Sequence, residues 1–281
     1  MKRNSFIGTT LLAVGLACTF SAQANQLDDI KAKKKLVCGT FGAISPFGFP
    51  DPKTRETVGH DVDLCKAIAK EMGVEAVIRG YPVGAHIPEI KLGHIDIIIA
   101  NMGYTQSRAK QVDFSNAYNV FKEVVSVNKD SGITSFDQLA GKKLSSTKGS
   151  TSEQAIRLKL ASATPMTFQD AAAAFLALQQ GKVDGFVINN VSAANFAVLS
   201  ANSPKPSVVL DQTLYLQPVA IGVKQGEPAL LAEVNTILGK LESSGYMQQA
   251  WDKWIGANSD LKLVRTYKTT PIKDIDFQPM P

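Results

Sequence analysis

Histidine, cysteine and the common catalytic motifs are scarce in this sequence. Its three histidines, His60, His86 and His94, lack close metal-ligand spacing, and no cysteine pair flanks them, so no metal site is expected. No Gly-x-Ser-x-Gly elbow, phosphate loop or dinucleotide fingerprint occurs. Neither a catalytic residue nor a cofactor is therefore expected. Lysine and arginine outnumber aspartate and glutamate only by 30 to 25, and no basic tract is interleaved with aromatics. Nucleic acid is not an expected partner on that balance. Beyond the N-terminus, no apolar run approaches the roughly 20 residues that a membrane-spanning helix requires.

The one long apolar stretch lies at the start. Lys2 and Arg3 precede an apolar or small run over 6–20, and Ala22-Gln23-Ala24 supplies the small–x–small pattern of a signal peptidase site. Residues 1–24 read as a cleavable signal peptide, which sends the remainder to the periplasm. Gly15-Leu16-Ala17 fits a lipid-attachment box at Cys18 poorly. Cys38 and Cys65 are then left. An even count in an oxidising compartment permits a disulfide, with two buried thiols as the alternative.

Strands and helices alternate along most of the chain. Residues 35–40 read as a strand, and Asp61 is placed to cap a helix whose Val62, Cys65, Ala69 and Met72 recur at helical spacing before Gly73 ends it. A strand over 75–78, a short helix over 87–92 and a buried strand over 96–100 follow. The second series has strands at 124–128, 144–147, 184–188 and 208–210, with helices at 151–160, 169–180 and 191–201. An apolar strand returns at 216–224. Pro228 opens a long helix, a last helix holds Met247, Trp251 and Trp254, and a polar tail runs from Ala257. This βαβ rhythm predicts an α/β fold with mostly parallel sheets flanked by helices. With no low-complexity linker, the chain is expected to cross between two domains on ordered strands.

Four segments together resemble family 3 of the bacterial solute-binding proteins, the polar amino acid receptors of ABC importers. They are VGHDVDLCKAIAKEMG at 58–73, HIPEIKLGHIDIIIANMGYTQSRAKQVDFSNAY at 86–118, LQQGKVDGFVINN at 178–190 and VAIGVKQGEPALLAEVNTILGKLESSGYMQQAWDKWIG at 219–256. The resemblance implies a type II periplasmic binding protein. Lobe 1 is built from 25–121 and 220–281, lobe 2 is inserted at 122–219, and two hinge strands close the lobes on a ligand. It also implies a monomer that delivers an amino acid or related small carboxylate to an ABC permease.

The same resemblance nominates the site. Arg108, in a T-x-x-R-A segment, is expected to hold the ligand carboxylate, because a guanidinium offers a planar fork to two oxygens. Gly103 and Thr105 present backbone and hydroxyl groups nearby, with Asn101 in the same segment. Ser150 and Thr151, ahead of a helix, offer an anion site at its N-terminus, alongside ordinary capping. Asn189 stands where many relatives have an aspartate for the ligand ammonium. Three readings stay open: another carboxylate such as Glu153 serves, the ligand amine is substituted or absent, or affinity is lower. His86 either binds a side-chain carboxylate or caps a helix. Phe41, Phe47 and Phe49 either line the cleft or belong to the core, with Ile44 where some relatives carry tyrosine. The enzyme alternative on this fold is a cyclohexadienyl dehydratase, for which Glu153 is the local acid.

Overall fold

The computed structural model describes residues 25–281, so the signal peptide expected over 1–24, with Cys18, lies outside the described residues. Asn25 starts the first helix, its side chain accepting the Asp28 N–H at 3.0 Å. The elements then run α1 (Gln26–Lys33), β1 (Lys35–Thr40), β2 (Phe49–Pro50), β3 (Thr57–Val58), α2 (His60–Met72), β4 (Glu75–Gly80), α3 (His86–Lys91), β5 (Ile97–Ile98), α4 (Gln106–Ala109) and β6 (Val112–Asn128). They continue with β7 (Lys143–Thr147), α5 (Thr151–Lys159), β8 (Thr164–Phe168), α6 (Ala171–Gln179), β9 (Gly185–Asn189), α7 (Asn190–Ser200), β10 (Ser207–Val209), β11 (Tyr215–Lys224), α8 (Pro228–Ser243) and α9 (Tyr246–Trp254).

The main sheet has the order β4-β1-β5-β11-β6-β9-β7-β8, with β10 beside β6. β1 runs parallel to β4 and β5, and β7 runs parallel to β8 and β9. Between these two parallel groups lie β6 and β11, antiparallel to each other from Val112↔Lys224 to Glu123↔Tyr215. β6 is 17 residues long, far longer than the strand predicted over 124–128. Its first half, with Ser115, Asn116 and Asn119, lacks the apolar run that marks a buried strand.

One core draws on both ends of the chain, with Leu36, Ile68, Ile97, Leu238 and Trp251 among its members. The middle of the chain packs on both faces of its sheet. Val124, Phe186 and Ile188 meet Ala174, Phe175 and Leu178 of α6, whereas Val125, Val127 and Val187 meet Leu144 and Ile156. Alternate residues of one strand point to opposite faces, so continuous apolar runs are what a doubly covered sheet needs. Cys38 of β1 and Cys65 of α2 form a disulfide, with Cα atoms 6.3 Å apart.

Three local expectations are corrected. Asp61 does not cap α2: Gly59 occupies the N-cap position with φ 139°, and Asp61 is buried inside the first turn. A Cβ on Gly59 would lie 2.2 Å from the Phe47 carbonyl oxygen, so only glycine fits there. The strand β8, with exposed Thr164, Thr167 and Met166, carries too weak an apolar pattern to be read beforehand. Finally, the polar tail is packed. Arg265 bonds Glu242 at 2.7 and 2.9 Å, Thr270 bridges Ala117 and Met280 bridges Thr105, and Met280 is only 2% exposed.

Candidate functional site

A cavity of about 470 Å³ opens where the two halves of the sheet face each other across β6 and β11. Residues from α3, the 98–108 segment, the start of α5, the end of β9 and both long strands line it. Its most prominent cation is Arg108. The T-x-x-R spacing is a capping arrangement: Thr105 Oγ1 accepts the Arg108 N–H at 3.1 Å, starting α4 and fixing where the arginine leaves the backbone. The guanidinium donates through one nitrogen to the Gly103 carbonyl at 2.9 Å and through another to the Gly149 carbonyl at 3.2 Å. It therefore joins the 101–108 segment to the loop before α5. Burial pulls its pKa below the usual arginine range, opposed by its electrostatic interactions with Tyr215 and Glu123.

Opposite, α5 presents its N-terminus. Ser150 is the N-cap: its Oγ accepts the Glu153 N–H at 3.1 Å and donates to the Thr147 carbonyl at 2.6 Å. Thr151 donates to Gln217 Oε1 at 2.6 Å, which also accepts the Tyr215 hydroxyl at 2.7 Å. The positive end of the helix, with its first N–H groups, thus adjoins the cavity near a guanidinium, a combination suited to an anion. Gly103 lies behind the cavity wall. A Cβ there would approach the Gln217 side chain to 2.4 Å, so glycine lets Gln217 cross over the loop.

The remaining candidates divide by how their polar atoms are used. Asn189 caps α7, its Oδ1 accepting the Ser192 N–H at 2.9 Å and its Nδ2 donating to Ser192 Oγ at 3.1 Å. His86 lines the cavity with its ring, but its nitrogens face the Thr40 and Val83 carbonyls at 3.1 and 3.3 Å, and burial lowers its pKa. Asn101 holds a left-handed backbone at φ 43°, and its Oδ1 has no hydrogen-bond partner among the described residues. Phe41 and Ile44 reach the cavity, whereas Phe47 sits in the core and Phe49 packs on Trp254. Glu153 does not line the cavity; it accepts from Gly149 N and from Arg157.

Two polar residues of the long strands were absent from the sequence reading: Gln217 and Glu123. Glu123 lines the cavity at 1% exposure and accepts from Ser152 Oγ at 2.8 Å. Burial raises its pKa to about 8, against the opposing effects of Ser152 and Arg108. The signal was present: an acidic residue just before the apolar Val124-Val125 pair, two positions from Phe121, is the kind of buried charge that needs a partner.

Residues 36–257 match the bacterial extracellular solute-binding proteins, family 3. The chain belongs to that family. The ABC transporter glutamine-binding protein GlnH of Bacillus subtilis (strain 168) is 34% identical over 238 residues, 83% of this chain and 86% of the relative. Among solved structures, the ancestral amino acid-binding protein AncCDT-1, a precursor of cyclohexadienyl dehydratase, is similar at TM-score 0.76 and 34% identity, covering 82% of this chain and 99% of that one. The cysteine-binding protein from Campylobacter jejuni follows at TM-score 0.75 and 28% identity, covering 86% and 97%. As a family 3 solute-binding protein, the chain has the two-lobed α/β fold expected from its sequence. The packed tail after residue 257 falls outside the matched span.

Proposed function

We propose that this solute-binding protein is the periplasmic receptor of an ABC importer and binds an α-amino acid between its lobes. Lobe 1 comprises 25–121 and 220–281, lobe 2 comprises 122–219, and β6 and β11 form the hinge. The observation that carries this reading is Arg108, bonded to Gly103 and Gly149 beside the N-terminus of α5. In the complex its guanidinium and the first α5 N–H groups take the ligand carboxylate. Thr105 and Ser150 hold these two anion-binding elements in place, while Thr151, Asn101, Asn189 and His86 complete the wall. The glutamine- and cysteine-binding proteins named above support an amino acid as the ligand class. Residues 1–24 serve as the export signal, the chain acts as a monomer, and a membrane permease is its partner.

The test is calorimetric titration of the secreted protein, freed of ligand by unfolding and refolding, with each of the twenty L-amino acids. A ligand at about 1,000 times its dissociation constant should add roughly 4 kcal/mol of stability. Arg108→Ala should lose binding by at least about a hundredfold while its melting temperature stays near that of the parent. Tight binding by that variant would overturn the assignment.

A second reading is favoured by one observation. Glu123 is a buried acid lining the cleft whose pKa burial raises to about 8, the kind of group a dehydratase needs to protonate a leaving hydroxyl. Product formation from prephenate or arogenate would establish that reading; none is expected.

A further inference from the structure

We infer that Glu123, on the hinge strand β6, receives the ammonium group of the ligand, so that the site selects α-amino acids over the same acids without the amine. The inference rests on the amino acid reading above and adds the residue that reads the second charge.

Among the described residues lining the cavity, Arg108 is the one arginine or lysine and Glu123 the one carboxylate. A zwitterion carries one charge of each sign. Glu123 and Arg108 are not in ion-pair contact, and Ser152 is the side chain that bonds the carboxylate. A neutral hydroxyl offsets little of the cost of burying a carboxylate, whereas an ammonium brings a positive charge and three N–H donors. The raised pKa of Glu123 agrees with a buried acid that lacks a counter-charge.

The strand register places this carboxylate usefully. Glu123 of β6 is directly opposite Asn189 of β9 in an antiparallel pair. Directly opposite residues point to the same face with Cβ atoms roughly 5 Å apart. The Asn189 amide is engaged in capping α7, so on this part of the wall the negative charge comes from position 123. Asn101 lines the same cavity, and its buried Oδ1 has no partner among the described residues. Because β6 crosses between the lobes, the charge sits on the hinge itself, where it stays in the cavity as either lobe moves.

The experiment compares the tightest-binding L-amino acid of the panel with its des-amino acid, by calorimetry, on the parent, Glu123→Gln and the double variant Glu123→Gln/Asn189→Asp. The parent should prefer the amino acid by at least about a hundredfold. Glu123→Gln should weaken the amino acid by a similar factor and leave the des-amino acid nearly unchanged. The double variant should recover at least about tenfold, because aspartate caps a helix as well as asparagine and returns a carboxylate to the same face. Equal weakening of both ligands, or amino acid affinity in Glu123→Gln within about threefold of the parent, would sink the inference alone. A parent preference below about tenfold would do so without any variant. If no amino acid binds the parent, the receptor reading itself fails, and this inference with it.

Discussion

Asp61 Oδ2 accepts the main-chain N–H of Asn101 at 2.7 Å, across 40 residues of sequence. Its other oxygen meets the Tyr118 hydroxyl at 3.2 Å and His60 Nδ1 at 3.1 Å. A buried carboxylate in α2 thereby pins a residue with φ 43° at the cavity wall, a conformation most side chains avoid.

Asp61→Ala leaves that amide and the Tyr118 hydroxyl without their acceptor. Each buried orphan costs about 1–3 kcal/mol, so the melt should fall by several degrees and ligand binding should weaken. Asp61→Asn keeps one acceptor and should lose less. Thermal unfolding of both variants tests the order; equal melts would contradict it.

Gly103→Ala should harm binding while keeping the Arg108 side chain. Its new methyl collides with Gln217, which would have to release Thr151 and Tyr215. Overpacking of this kind costs about 1–3 kcal/mol. Titration should show weaker binding than the parent, and Gln217→Ala in the same background should restore part of it.

Reducing the Cys38–Cys65 bridge, or replacing both residues by alanine, removes a link across 27 residues. Loop-closure entropy for that span predicts a loss of about 3–4 kcal/mol, read as a lower urea midpoint. Ligand selectivity should not change, because neither cysteine reaches the cavity.

Stability should depend on pH through Glu123. Its folded pKa, about 8, lies above the ordinary 4.5, so the folded protein holds this proton more tightly than the unfolded chain. The penalty is absent below about 4.5 and grows as pH rises towards 8, and Glu123→Gln should flatten that part of the profile. An ammonium ligand lowers the Glu123 pKa. Binding at pH 7 should therefore release protons, measured as a dependence of the calorimetric enthalpy on buffer ionisation.

The tail is anchored by Arg265 on Glu242, whose carboxyl burial would raise but Arg265 and Thr269 hold down at about 2. That folded value is below the unfolded one, so the pair's contribution is present at neutral pH and lost as pH falls towards 2. Removing residues 277–281 takes away the Met280 bridge to Thr105 and the Gln154–Pro281 hydrogen bond. That truncation should lower the melt and weaken ligand binding, because these contacts join the base of α4 to α5.

Much of the fold was legible because its signals are local. Apolar runs over 96–100 and 184–188 carried the buried strands and helical spacing carried α2 and α8, whereas Arg108 was nominated by the family resemblance and its Thr105 cap came from the structure. The strand β8 and the first half of β6 were not legible, because exposed or polar residues there take their strand geometry from neighbours in the sheet. Asp61 was read as a cap because a carboxylate at a helix start normally serves that purpose; its true partners lie in a distant loop and strand.

The sequence by itself determined an α/β chain of strand–helix units and the family, since apolar runs, helical spacing and four segments in order carry them. Only the tertiary structure decided which carboxylate shares the cavity with Arg108, that Gln217 covers Gly103, and that the polar tail is a packed element. Those relations join residues as far apart in sequence as Thr105 and Met280. They follow from strand register and chain crossing, which no local pattern encodes.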